Sequence, residues 1–109
     1  MKIWLDDERP MPEGYDQHCR SAESVIKAIK SGVVNEISFD HDLGEYALTG
    51  YDVAKFIEKE TLAGRLNYIR CRIHTQNPVG RKNICAALQS IARYWMRNEK
   101  PKDQTLRNW

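Results

Sequence analysis

Three short stretches concentrate the residues able to do chemistry: Asp6, Asp7 and Glu8; Asp40, His41 and Asp42; and His74, Thr75, Gln76 and Asn77. Asp6, Asp7 and Asp40 supply hard carboxylate oxygens of the kind that hold Mg²⁺ together with several waters. Such an ion neutralises phosphate charge and polarises a phosphoryl oxygen. Histidine as a residue type titrates near neutrality, which makes His41 and His74 candidates for the general acid and the general base of a phosphate-ester reaction. Asp42 is placed to fix the tautomer of one of those rings. Asn77, Gly80 and Arg81 lie just before helix-like sequence, where backbone amides and a guanidinium can cradle a phosphate. Each assignment has a structural alternative: Asp6 and Asp7 as solvated loop caps, either histidine as a loop-bonding group, Arg81 as a surface residue on a plain turn. His18 falls outside the three reactive stretches and reads as structural or surface.

The elements that must position these groups are legible around them. Lys2–Leu5 is a short apolar run that ends in the first acidic stretch, and residues 37–39 run into Asp40. Ile69–Ile73 runs into His74. Short apolar runs bounded by charge fit buried strands. In a parallel α/β sheet the C-terminal strand ends share one edge, and that edge binds ligands. The three stretches are therefore expected to meet in one site. Residues 8–15, with Pro10, Pro12 and Gly14, form a loop, and Tyr15–Arg20 reads as a weak second strand. Ser21 caps a helix that Gly32 ends. Val33–Phe39 leads into the central strand. A loop over 44–50 precedes a helix with Val53, Phe56 and Ile57 on one face, closed by Gly64. In residues 69–73, Arg70 and Arg72 alternate with apolar positions, as on an edge strand. Asn77–Gly80 reads as a turn, followed by a last helix carrying Ile84, Ala87, Leu88, Ile91 and Trp95 and ended by Pro101. The expectation is one α/β domain over 1–109: a mainly parallel sheet of about four strands with three main helices, residues 98–109 forming a loose tail.

Composition bounds the function classes. The chain has 109 residues, 29% charged and 41% hydrophobic, with a formal net charge of +2. That is a globular composition, too nearly neutral to argue for a nucleic-acid coat. The basic residues near the C-terminus, Arg93, Arg97, Lys100, Lys102 and Arg107, are diluted by Glu99 and Asp103 and read as a solvated surface. No apolar run is long enough for a bilayer, and residues 2–5 read as a strand rather than a signal segment. A cytoplasmic location with no membrane partner is expected. The three cysteines, Cys19, Cys71 and Cys85, include no CxxC pair and suggest neither a disulfide framework nor a cysteine-rich zinc site. Cys71 and Cys85 are expected in the core.

The acidic pair Asp6 and Asp7 after strand one resembles a bacterial receiver domain. So do Asp40 at the end of a central strand, with Thr49 and Gly50 opening the next helix, and Thr75 at the end of the following strand. The likeness covers residues 1–96 and implies a flavodoxin-like, receiver-like fold for the single domain. It departs from a normal receiver in having no full helix between the first two strands and no strand after the last helix. The strand that carries the receiver lysine is thus missing; Lys100-Pro101 only imitates its Lys-Pro pair. Together, residues 5–10, 39–44 and 74–80 resemble the cyclic-phosphate-processing receiver-like domains, a trimmed receiver family found with RNA-repair and conflict systems. The resemblance implies action on a cyclic phosphate of a nucleotide or an RNA end, and implies that Thr75 donates to a phosphoryl oxygen.

The leading expectation is a Mg²⁺-assisted phosphoesterase with His41 and His74 as acid and base. Two rivals stand beside it: a signalling module phosphorylated on Asp40, against which the missing lysine argues, and a non-catalytic nucleotide-binding domain.

Overall fold

The computed structural model describes residues 1–98. Seven elements follow in order: β1 (Lys2–Leu5), β2 (Gln17–Cys19), α1 (Ala22–Lys30), β3 (Glu36–Phe39), α2 (Gly50–Leu62), β4 (Arg70–Ile73) and α3 (Pro78–Arg97). The strands form one sheet in the order β2-β1-β3-β4, parallel throughout. This is the parallel α/β sheet expected from the alternation of strand and helix, in the receiver-like architecture that the resemblance implies. The expected loose tail and the helix stop at Pro101 lie outside the described residues.

The core forms on one face of the sheet. Ile3, Leu5, Ile37 and Phe39 are buried there beneath Val25, Ile29, Val53, Ile57, Ile84 and Ile91 from the three helices. Period-two alternation along the strands separates this face from the opposite one. Cys19 is the buried cysteine; Cys71 and Cys85 are half-buried rather than core residues. Cys71 packs against the core, but β4 is an edge strand and leaves it partly open. Burial nevertheless pushes the Cys71 thiol up to about 12, so it is no nucleophile.

The helix starts follow local chemistry. The Ser21 hydroxyl accepts from the Ser24 amide at 3.2 Å. Thr49 and Asp52 form a reciprocal capping box on α2. Asn77 caps α3, and Pro78 occupies its first turn, where a missing N–H costs nothing. The last helix therefore begins at Pro78, and Gly80 and Arg81 belong to its first turn rather than to a preceding turn. The weak strand over 15–20 shrinks to Gln17–Cys19, because the proline-rich loop occupies the chain up to Asp16.

Candidate functional site

The C-terminal ends of β1, β3 and β4 meet at one sheet edge, tied by backbone bonds. Asp40 N–H donates to the Leu5 carbonyl and His74 N–H to the Phe39 carbonyl, each at 2.9 Å. A cleft of about 490 Å³ opens there, lined by Asp6, Asp7, Asp40 and Asp42, by Thr75 and Asn77, and by Arg9. All three predicted stretches reach it.

Asp6 is the fixed point. Its side chain is 1% exposed. Oδ1 accepts from the amides of Glu8 at 2.8 Å and Arg9 at 2.7 Å, and Oδ2 accepts from His74 Nε2 at 3.0 Å. Burial raises its proton affinity, but the Arg9 and Glu8 amides and His74 outweigh this and hold the carboxyl below its ordinary range. Asp6, Asp7 and Asp40 each place a carboxylate oxygen within 4.8 Å of the others. Ligand atoms around an octahedral Mg²⁺ lie at most about 4.2 Å apart. A slight closure, or one carboxylate joined through a water, makes the set fit that ion.

The two histidines differ. His74 uses both ring nitrogens: Nε2–H on Asp6, and Nδ1 accepting from the Ser38 hydroxyl at 2.7 Å. Its ring lies flat on Trp4, 3.8 Å between centroids and 6° between planes. Burial lowers its pKa and outweighs Asp6, which raises it. The contact with Asp6 is thus a hydrogen bond from a neutral imidazole, not an ion pair. His41 instead bonds through one nitrogen, Nδ1, to Asp42 Oδ1 at 3.1 Å. That leaves Nε2 as the acceptor of the neutral ring. Its side chain is 17% exposed and that of Asp42 is 67% exposed.

Two glycines let the chain close around this pair. A Cβ on Gly80 would overlap the His41 ring, and a Cβ on Gly50 would overlap the Asp40 carbonyl oxygen. Gly80 therefore serves close packing at His41. Its amide is already taken by Asn77 Oδ1 at 3.0 Å. Asn77 Nδ2 reaches the two oxygens of Asp42 at 3.4 and 3.3 Å. Arg81 is tied to the Thr75 carbonyl at 3.2 Å. Gly80 and Arg81 thus lie behind the cleft, while Thr75 and Asn77 line it. Thr75 is buried, and its hydroxyl accepts from the Asn77 amide at 3.2 Å.

Sequence reasoning missed Arg9, the cation lining the cleft, which donates to the His74 carbonyl at 2.9 Å. No lysine lines the cleft among the described residues. It also missed Trp4 and Ser38. Both sit two positions before a site aspartate, and the strand period puts them on a common face; a serine inside an apolar strand was the available signal. His18, expected to be structural or surface, donates to the Asp6 carbonyl at 2.7 Å and so braces the site from β2.

No helix among the described residues is long and apolar enough to cross a membrane. Comparison with curated proteins and with solved structures returned no match. Residues 1–90 match the family model described as the cyclic-phosphate processing receiver domain, and the chain therefore belongs to that family.

Proposed function

We propose that the chain is a phosphoesterase opening a cyclic phosphate of a nucleotide or RNA end. The observation that carries this reading is the convergence of three carboxylates, Asp6, Asp7 and Asp40, within 4.8 Å of one another, beside the His41–Asp42 couple. Asp6, Asp7 and Asp40 would hold Mg²⁺, which supplies charge neutralisation and polarisation at the phosphoryl group. His41 moves the proton. Asp42 accepts its Nδ1–H and keeps Nε2 basic, and Asn77 holds Asp42 in turn. His74 is a positioning residue: with both nitrogens committed, it fixes Asp6 rather than exchanging protons with substrate. Arg9 is the cation available to a phosphate oxygen, and Thr75 lines the same wall.

The test is phosphorus NMR on a panel of 2′,3′-cyclic and 3′,5′-cyclic nucleotides, with and without Mg²⁺. Loss of one cyclic resonance in the wild type, abolished in His41→Gln, is the expected result. Turnover that survives His41→Gln removes His41 from the reaction. Tight ligand binding with no product under any divalent ion replaces the enzyme with a nucleotide-binding domain.

A further inference from the structure

Parallel sheets are almost always covered on both faces. Here only one is. Right-handed crossovers carry β2 to β3 and β3 to β4 in the same direction across the sheet. Both α1 and α2 therefore fall on one face, and α3 buries Ile84, Ala87 and Ile91 in that same core. The connection that runs the other way, β1 to β2, is the helix-free proline loop. Among the described residues no helix covers the second face.

That face is polar and built in register. One row is Lys2, Glu36 and Arg70; the next is His18, Trp4, Ser38 and Arg72. Lys2 and Arg70 are exposed, and the Arg72 side chain is 53% exposed. Glu36 is the acid of these rows, 3.7 Å from Arg72. Asp16 stands at the margin, where it accepts the Lys2 amide at 2.8 Å. Toward the cleft the strip becomes aromatic. Trp4 stacks on His74 and meets Tyr15 edge-on at 5.4 Å. Trp4 Nε1–H donates to the Arg9 carbonyl at 3.3 Å, and Arg9 reaches into the cleft. Lys2, Arg70 and Arg72, interrupted by Glu36 and Ser38, thus share the face with Trp4, which links it through Arg9 to the site.

We propose that the uncovered face is a track for a single-stranded nucleic acid whose terminal cyclic phosphate enters the cleft. The last clause rests on the phosphoesterase reading; the track does not. Single strands are held by a positive surface that follows the backbone together with aromatic side chains under the bases. A second copy of the chain does not suit this face, since it would set Arg70 and Arg72 against their own like charges.

The experiment uses the full chain and a fluorescent RNA of about ten nucleotides with an ordinary 3′-hydroxyl, a length within the range of small single-strand sites. Anisotropy should report binding whose log–log salt slope is about −2, as neutralising three phosphates on a single strand requires. Replacing Arg70 and Arg72 together by alanine should weaken binding at least about tenfold, and replacing both by lysine should leave it within about threefold, because phosphate neutralisation needs the charge. Circular-dichroism melts check that the variants fold. No binding, binding indifferent to the alanine pair, or equal binding of a polyglutamate peptide, which would mark an acidic protein as the cover, overturns the proposal. A second arm compares the same RNA ending in a 2′,3′-cyclic phosphate with the cyclic mononucleotide. A KM about tenfold lower for the chain is expected from the added phosphate contacts; equal values overturn the chain as substrate. If neither is turned over, the phosphoesterase reading falls, and the hydroxyl-ended RNA still decides the track.

Discussion

The end of β3 and the end of β4 each carry a histidine bonded to an aspartate that lines the cleft, neither ring lining it itself, and the two are bonded in different ways. At β4, His74 is locked by Asp6, Ser38 and Trp4, and its two nitrogens are spent on structure. At β3, His41 leans on Gly80 and bonds Asp42 through a single nitrogen. Residue type and position at a strand end do not separate the proposed proton-transfer group from a brace. What separates them is how many of the ring's bonds the surrounding strands complete.

The largest expected effect is at the β3 end. His41→Gln should lower kcat by about 10²- to 10⁴-fold, the range for losing an acid–base group, with little change in Tm. A parallel fall in Tm would erase the contrast with His74. Next comes Gly80→Ala, whose methyl must displace the His41 ring. A misplacement of about 1 Å costs on the order of 10²-fold in rate. Rate assays, together with the His41 ring signals in an NMR spectrum, check this; unchanged signals would show that the packing is slack.

At the β4 end the expected loss is in stability. His74→Ala leaves Asp6 Oδ2 and the Ser38 hydroxyl without their partner, which costs about 1–3 kcal/mol for a buried group. Urea titration measures it. The sign of the pH dependence sharpens the same point. The folded His74 pKa lies below 6.5, so the unfolded chain binds the proton more tightly. Its contribution to stability is complete above pH 6.5 and is lost as pH falls from there through the folded value. Asp6, held below 3.8, loses its contribution only as pH falls beneath that value. Melting from pH 7.5 to 5 should therefore show a decline in the wild type that is smaller in His74→Gln. A Tm that rises over that interval would mean that His74 is charged against Asp6. The smallest effect is expected for Asn77→Ala, about 1 kcal/mol for a lost helix cap, with a modest loss of rate as Asp42 loosens. An unchanged rate would show that Asp42 needs no such support.

Much of the fold was legible because its causes are local. Apolar runs bounded by charge, the cap Ser21, and the alternation of Arg70 and Arg72 with Cys71 and Ile73 announce strands, a helix start and an edge. The last helix read one turn short, since Pro78 and Gly80 look like turn residues until Asn77 is seen to cap them. The meeting of Asp6, Asp7 and Asp40 was also legible, because parallel strands put their C-terminal ends on one edge.

The sequence by itself determined which residues reach that edge, since parallel strand polarity follows from the alternation of short apolar runs with helices. Only the tertiary structure decided what each does there. Gly80 makes room for a ring 39 positions earlier in the chain, Ser38 and Trp4 immobilise His74, and Arg9 rather than a lysine supplies the cation of the cleft. Those roles depend on contacts between residues far apart in sequence. A hydrogen-bond partner or a steric limit exists only once two strands lie side by side.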